Sequence, residues 1–133
     1  MTTLKTVTRQ FQKHYSRDEA RALLPQIREW LTQLQALRQK LDQQDARIGQ
    51  FLKTGQEMGG MTVNQFVRLL AETKGVLEHF RQREIQVKDL DRGLIDFPAI
   101  IAGREVFLCW EQDEDDIEYW HDLDTGYAGR EKL

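Results

Sequence analysis

Cysteine is all but missing from this chain: Cys109 stands alone. No internal disulfide can form, so the fold must rest on packing, and a reducing, cytoplasmic setting fits. A single cysteine inside an apolar run behaves as a small hydrophobe, whereas a reactive thiolate wants an exposed, electropositive setting. Long apolar runs are missing too. The longest, Ala99 to Ala102 and Val106 to Trp110, fall far short of the ~20 residues that cross a bilayer. The N-terminus has no apolar stretch of the secretory kind. It also lacks acids, which leaves a transit peptide open beside the plainer reading of a frayed tail. Histidine is scarce and scattered, at His14, His79 and His121, without the paired spacing of a helical zinc site. No nucleotide-binding loop or zinc pattern occurs, and no serine–histidine pair has a recognisable context. From Glu111 to Asp124 there is no Lys or Arg, while acids crowd the stretch. That excludes nucleic acid from this end and leaves only the more basic helical half open to it.

What is present describes one domain of 133 residues. Ser16 and Glu19 form a capping box that opens a helix. Pro25 predicts a kink near Arg21 to Pro25. Leu23, Ile27, Trp30, Leu34, Leu37, Leu41, Ile48 and Phe51 then repeat in steps of four and three, with Gln44 as the polar exception. Such a seam is the signature of coiled-coil packing. Lys53 to Met61, with Gly55, Gly59 and Gly60, breaks the helix, and Thr62 is placed to cap a second one. Its expected seam is Val63, Phe66, Leu70, Thr73, Leu77 and Phe80. At ~1.5 Å per residue the helices would measure roughly 54 and 33 Å, so the N-terminal third of the first lacks a helical partner. Either a sheet or a second subunit must cover it.

The sheet follows. Leu94 to Ile101 is a strand whose Pro98 points to an edge position. Ala102-Gly103 is a hairpin turn, and Glu105 to Glu111 is a central strand apolar on both faces. Asp113 to Asp116 is an acidic turn expected in solvent, and Ile117 to Leu123 is a third strand. The expected architecture is α+β: a long antiparallel αα-hairpin packed on a three-stranded antiparallel β-meander. Its parts are a flexible tail at 1–15, the hairpin at 16–84, the sheet at 85–124 and a C-terminal tail at 125–133.

Several of these stretches resemble one family. Ser16, Glu19-Ala20 and Leu23-Leu24-Pro25 are similar to the helix opening of the bacterial domain of unknown function 2203 (DUF2203) family. Val87-Lys88-Asp89, Gly93 to Pro98, Leu108-Cys109-Trp110, Trp120-His121 and Gly126 to Arg130 resemble its C-terminal signature. A glycine often precedes the family's Lys-Asp step; Arg83-Glu84 stand there in this chain. The resemblance implies an identity but no activity.

Three groups of residues carry chemistry. Lys88, Asp89 and Asp96 flank one turn, where two carboxylates and a lysine either polarise a ligand or form structural pairs. His121, with Asp122 and Asp124, offers donors for a divalent metal; the plainer alternative is a strand histidine bonded to a carboxylate. Gly126 to Arg130 places an arginine on a glycine-rich segment, suited to an anion or to pinning the tail. Trp30, Trp110 and Trp120 are core or interface anchors, and Trp110 and Trp120 border the candidate ligand site. No cofactor is required by these residues, and no catalytic constellation is assembled. The leading expectation is a non-enzymatic interaction or assembly module, most simply a homodimer that takes a protein partner and no membrane. The alternative is a small-molecule or metal-binding protein, or an enzyme, with its site at Lys88, Asp89, Asp96, Trp110, Trp120, His121 and Arg130. A weak nucleic-acid binder is the third.

Overall fold

The computed structural model of the chain describes residues 8–55 and 60–133. Helix α1 spans Arg17–Thr54 and α2 spans Gly60–Gln82. Five strands follow: β1 (Gln86–Asp89), β2 (Leu94–Ile101), β3 (Arg104–Glu111), β4 (Tyr119–Asp122) and β5 (Glu131–Lys132). A 3-10 turn, Tyr127–Gly129, precedes β5. The class is α+β, as expected, but the meander has five strands rather than three. The two additional strands are short outer ones: β1 overlaps the step Ile85-Gln86-Val87, which the sequence leaves open as a short strand, whereas the two residues of β5 carry too little alternation to be read from sequence.

The capping box forms. The Ser16 hydroxyl accepts from the Glu19 N–H at 3.1 Å, and the Glu19 carboxylate accepts from the Ser16 N–H at 3.1 Å. The helix runs through Pro25 and ends at Gly55, whose φ of 69° is the left-handed closure that glycine adopts freely. Its 38 residues make it about 57 Å long. Helix α2 begins at Gly60, ahead of Thr62, so Thr62 is not its cap. Residues 56–59 of the glycine break lie outside the described residues.

The seam expected on α2 divides in two. Phe80 is buried, and Phe66, Leu69, Thr73 and Val76 are half-buried on the same side. Val63, Leu70 and Leu77, expected in that seam, are exposed instead. The apolar residues of α2 occupy two stripes, and a single neighbouring helix covers one of them.

The sheet covers the overhang of α1. Ala20, Leu24, Ile27, Leu31 and Leu34 share one core with Phe97, Val106, Leu108 and Trp110. The strands lie in sequence order, each antiparallel to the next. Strand β2 is therefore internal, contrary to the edge position that Pro98 suggested. The proline is accommodated because β1 pairs only with Leu94 to Asp96. Beyond that point the β1 side of β2 is open. The Pro98 carbonyl faces it and accepts from the Tyr15 N–H at 2.7 Å, so no strand waits for the missing proline N–H.

Two segments expected in solvent are docked. In the N-terminal tail, residues 8–15 lie along the sheet. Glu105 accepts from the N–H groups of Gln10 and Phe11 at 2.8 and 3.1 Å and meets His14 Nε2 at 2.7 Å, and Tyr15 is buried. The acidic turn is tied to α1. Arg28 donates to the carbonyls of Gln112 and Glu114 at 2.7 and 2.9 Å, and Arg21 grips Asp116 through two bonds of 2.8 and 2.9 Å. The cations left out of the turn's own sequence come from the helix.

Two non-glycine residues sit in the left-handed region: Glu84 (φ 56°) and Ala102 (φ 52°). The Glu84 carboxylate accepts from the Gln12 N–H at 3.1 and 3.2 Å. Ala102 opens the β2–β3 hairpin with Gly103 at φ 76°, a turn that favours Asn-Gly. Replacing Ala102 with Asn is expected to stabilise the fold by about 0.5–1 kcal/mol. The check is a higher urea midpoint at an unchanged m value.

Candidate functional site

Register brings the chemistry together. Across β2 and β3, Asp96 lies opposite Cys109, and across β3 and β4, Phe107 lies opposite His121. Because Ile95, Phe97, Val106, Leu108 and Trp110 face the helices, alternation sends Asp96, Phe107, Cys109 and His121 to the other face. That face is also sealed. Cys109 is fully buried, and Asp96 and His121 are each 2% exposed.

His121 is bonded through both ring nitrogens. Nδ1 lies 2.6 Å from the Asp122 carbonyl oxygen, which can only accept, so Nδ1 carries a proton. Nε2 lies 3.0 Å from Asp96 Oδ2. Burial opposes a charge on the ring, but hydrogen bonding to Asp96, Cys109 and the Asp122 carbonyl outweighs it and raises the imidazole to about 10. The other Asp96 oxygen, Oδ1, is buried without a hydrogen-bond partner. The donor atoms of Asp96, Cys109 and His121 all lie within 4.8 Å of one another, and they are the described residues that could together hold a metal.

Side chains, not a helix layer, cover this face. The Phe11 ring meets Phe107 edge-on at 5.4 Å, and Phe107 lies 5.5 Å from the His121 ring. Lys88 is the extra residue of a bulge in β1 and sets its ammonium 4.9 Å from the centre of the Phe107 ring. Arg130 lies over Tyr119 at 3.9 Å and Tyr127 at 4.3 Å while pairing with Glu114. Arg92 approaches Tyr127 at 4.3 Å and pairs with Glu111.

Of the residues singled out from sequence, Asp96 and His121 meet, and Lys88 and Arg130 sit on the same face around them. Asp89 does not join them; its carboxylate accepts from the Arg92 N–H at 3.1 Å and closes the turn. Trp110 is in the helix-side core, where its Nε1–H donates to the Glu114 carbonyl at 2.9 Å. Trp120 lies opposite Leu108 and lines a depression with Ile101, Arg104 and Val106. Asp122 contributes its carbonyl to His121, while its carboxylate is bonded to Arg104. Asp124 is exposed. Cys109 as a polar neighbour and Glu105 as the clamp of residues 10–14 were not singled out. The signal for Cys109 lay in the hairpin: Asp96 and Cys109 are equally distant from Ala102-Gly103 and must therefore face each other.

Since the His121 ring is raised from its ordinary value, its stabilising contribution is complete below about pH 6.5 and is lost as pH rises towards 10. Chelator-treated protein should lose urea resistance over that window, and His121→Gln should flatten the profile. Asp96→Ala, which strands the ring without its carboxylate, should cost about 3–5 kcal/mol in the same assay.

The family described as uncharacterized conserved protein (DUF2203) matches residues 13–133, from the segment clamped by Glu105 through every strand of the sheet. The chain belongs to that family. No curated protein and no solved structure matches it. No helix among the described residues is long and apolar enough to cross a membrane.

Proposed function

We propose that this DUF2203 member is a non-enzymatic assembly module that pairs with a second copy of itself through the outer face of α2. One observation carries the reading: Val63, Val67, Leu70 and Leu77 form an exposed apolar stripe on a helix whose other apolar stripe already packs on α1. Their exposures run from 42 to 57%. Their spacing of four, three and seven is that of a heptad seam, with Lys74 at the one polar position. An exposed apolar stripe of this kind is a mark of an interaction site.

A second copy is the simplest occupant because Val63, Leu70 and Leu77 are symmetric about Leu70, with Val67 falling beside Thr73 and Lys74 of the other chain. In an antiparallel two-fold pair Leu70 meets its own equivalent, and Val63 of each chain meets Leu77 of the other. The acidic turn offers less to a basic partner, since Arg21 and Arg28 already hold it. Nucleic acid is likewise disfavoured, because Arg17, Arg21 and Arg38 are paired with acids. The burial of Asp96, Cys109 and His121 keeps the polar cluster from a substrate in solution.

Sedimentation at micromolar concentration tests the pairing. The wild-type chain should run as a dimer and Leu70→Glu as a monomer of unchanged helicity. A compact wild-type monomer would overturn the reading.

A further inference from the structure

We propose that Asp96, Cys109 and His121 form a binding site for one thiophilic divalent cation of the zinc type. The site is independent of the pairing through α2.

The first reason is convergence. Three adjacent strands each deliver one donor to the same point: a carboxylate oxygen from β2, a sulfur from β3 and an imidazole nitrogen from β4. Residues a dozen or more positions apart meet only because the register makes them cross-strand neighbours.

The second is the unpartnered Asp96 Oδ1. A buried carboxylate oxygen without a donor is costly, and a bound ion is one of the few things that satisfies it. Gln86, opposite Asp96 on β1, does not do so; its amide points to the Glu84 carbonyl.

The third is how His121 is held. A histidine that binds a metal through one nitrogen commonly donates the other N–H to a carbonyl or carboxylate. The Nδ1–H bond to the Asp122 carbonyl is that arrangement, and it aims Nε2 at Asp96.

The donor types then select the ion. Sulfur beside nitrogen suits zinc and disfavours magnesium and calcium, which take oxygen ligands. A tetrahedral ion with bonds of about 2.0–2.3 Å needs its donors roughly 3.3–3.7 Å apart. The 3.0 Å between Nε2 and Oδ2 must open slightly, and any pair near the 4.8 Å limit must close. The second Asp96 oxygen or a water completes the shell. Binding releases the thiol proton and the proton held between Nε2 and Asp96, so carboxylate and thiolate together balance the two positive charges. Arg130 lies against Cys109 and is compensated by Glu114. The segment clamped by Glu105 carries Phe11 over Phe107 and forms part of the cover.

The test uses the untagged full chain, stripped with chelator and titrated with Co2+ and then Zn2+. The expected result is one equivalent of Co2+ with a thiolate-to-cobalt charge-transfer band that Zn2+ displaces. Cys109→Ala should abolish the band, and His121→Gln or Asp96→Asn should weaken binding by about 10–100-fold or more. No band in the wild-type chain, or an unchanged affinity in Cys109→Ala, would overturn the proposal. Should the variants fail to fold, the wild-type chain decides alone. Stoichiometric Zn2+ should raise its melting temperature and shield Cys109 from alkylation, and the absence of both effects overturns the site.

Discussion

A sheet with helices on only one side must still hide its other side, and most of this structure follows from how it does so. Strand β3 is apolar on both faces. The helix-side residues Val106, Leu108 and Trp110 have an ordinary partner in α1. The opposite residues, Phe107 and Cys109, have no second helical layer above them and are buried nonetheless. What shields them is a thin cover drawn from distant parts of the chain. Residues 8–15 are strapped down by Glu105, Lys88 is turned onto Phe107 by a bulge, and Arg130 and Tyr127 return from the C-terminal segment. Each piece contributes little apolar area, so each is fixed by charge or by a ring face. The Glu105 carboxylate is a useful case. Burial tends to raise it, but bonds from His14 and the Gln10 and Phe11 N–H groups hold it below the usual carboxylate range.

The same economy explains the charge pattern. The stretch from Glu111 to Asp124 has no cation of its own, yet it is not left to solvent. Arg21 and Arg28 reach it from α1 and Arg130 from the tail. All three arginines bond to peptide carbonyls or in bidentate fashion, geometries that a lysine would not reproduce. The contacts lock the β3–β4 connection to the helix, and Trp110 joins them through its bond to the Glu114 carbonyl. Exposed pairs such as Arg21 with Asp116 contribute modestly to stability. Their effect is to fix which way the turn leaves the sheet and hence the register of β4.

Periodicity made the long elements legible. The capping box, the α1 seam and the two-sided character of β3 are all written in residue spacing, because each repeats over enough residues to rise above chance. Three things were not legible, for definite reasons. Strand β5 has too few residues to show alternation, and β1 showed only as the short step Ile85-Gln86-Val87. The two apolar stripes of α2 overlap in sequence, and a step of three or four fits either; only packing on α1 separates Phe66 and Val76 from Leu70 and Leu77. The polar cluster was half legible. Asp96 and His121 stood out as polar residues in apolar strands, but Cys109 passed as a hydrophobe. The glycine turn that places it opposite Asp96 was in plain view.

The cluster also bears on what the second face is for. Packing alone would be served as well by three apolar side chains, since replacing a buried ion pair with well-packed hydrophobes is often neutral or stabilising by about 1–4 kcal/mol. Removing one partner, by contrast, strands the other and costs more than the pair is worth. The arrangement at Asp96 and His121 is therefore difficult to justify as a staple, and the unsatisfied Oδ1 makes it less economical still. A sheet face that needed only to be dry would not place a carboxylate, a thiol and an imidazole side by side and then cover them with a segment held by hydrogen bonds. The combination is intelligible if the three act together on something small enough to sit beneath that cover.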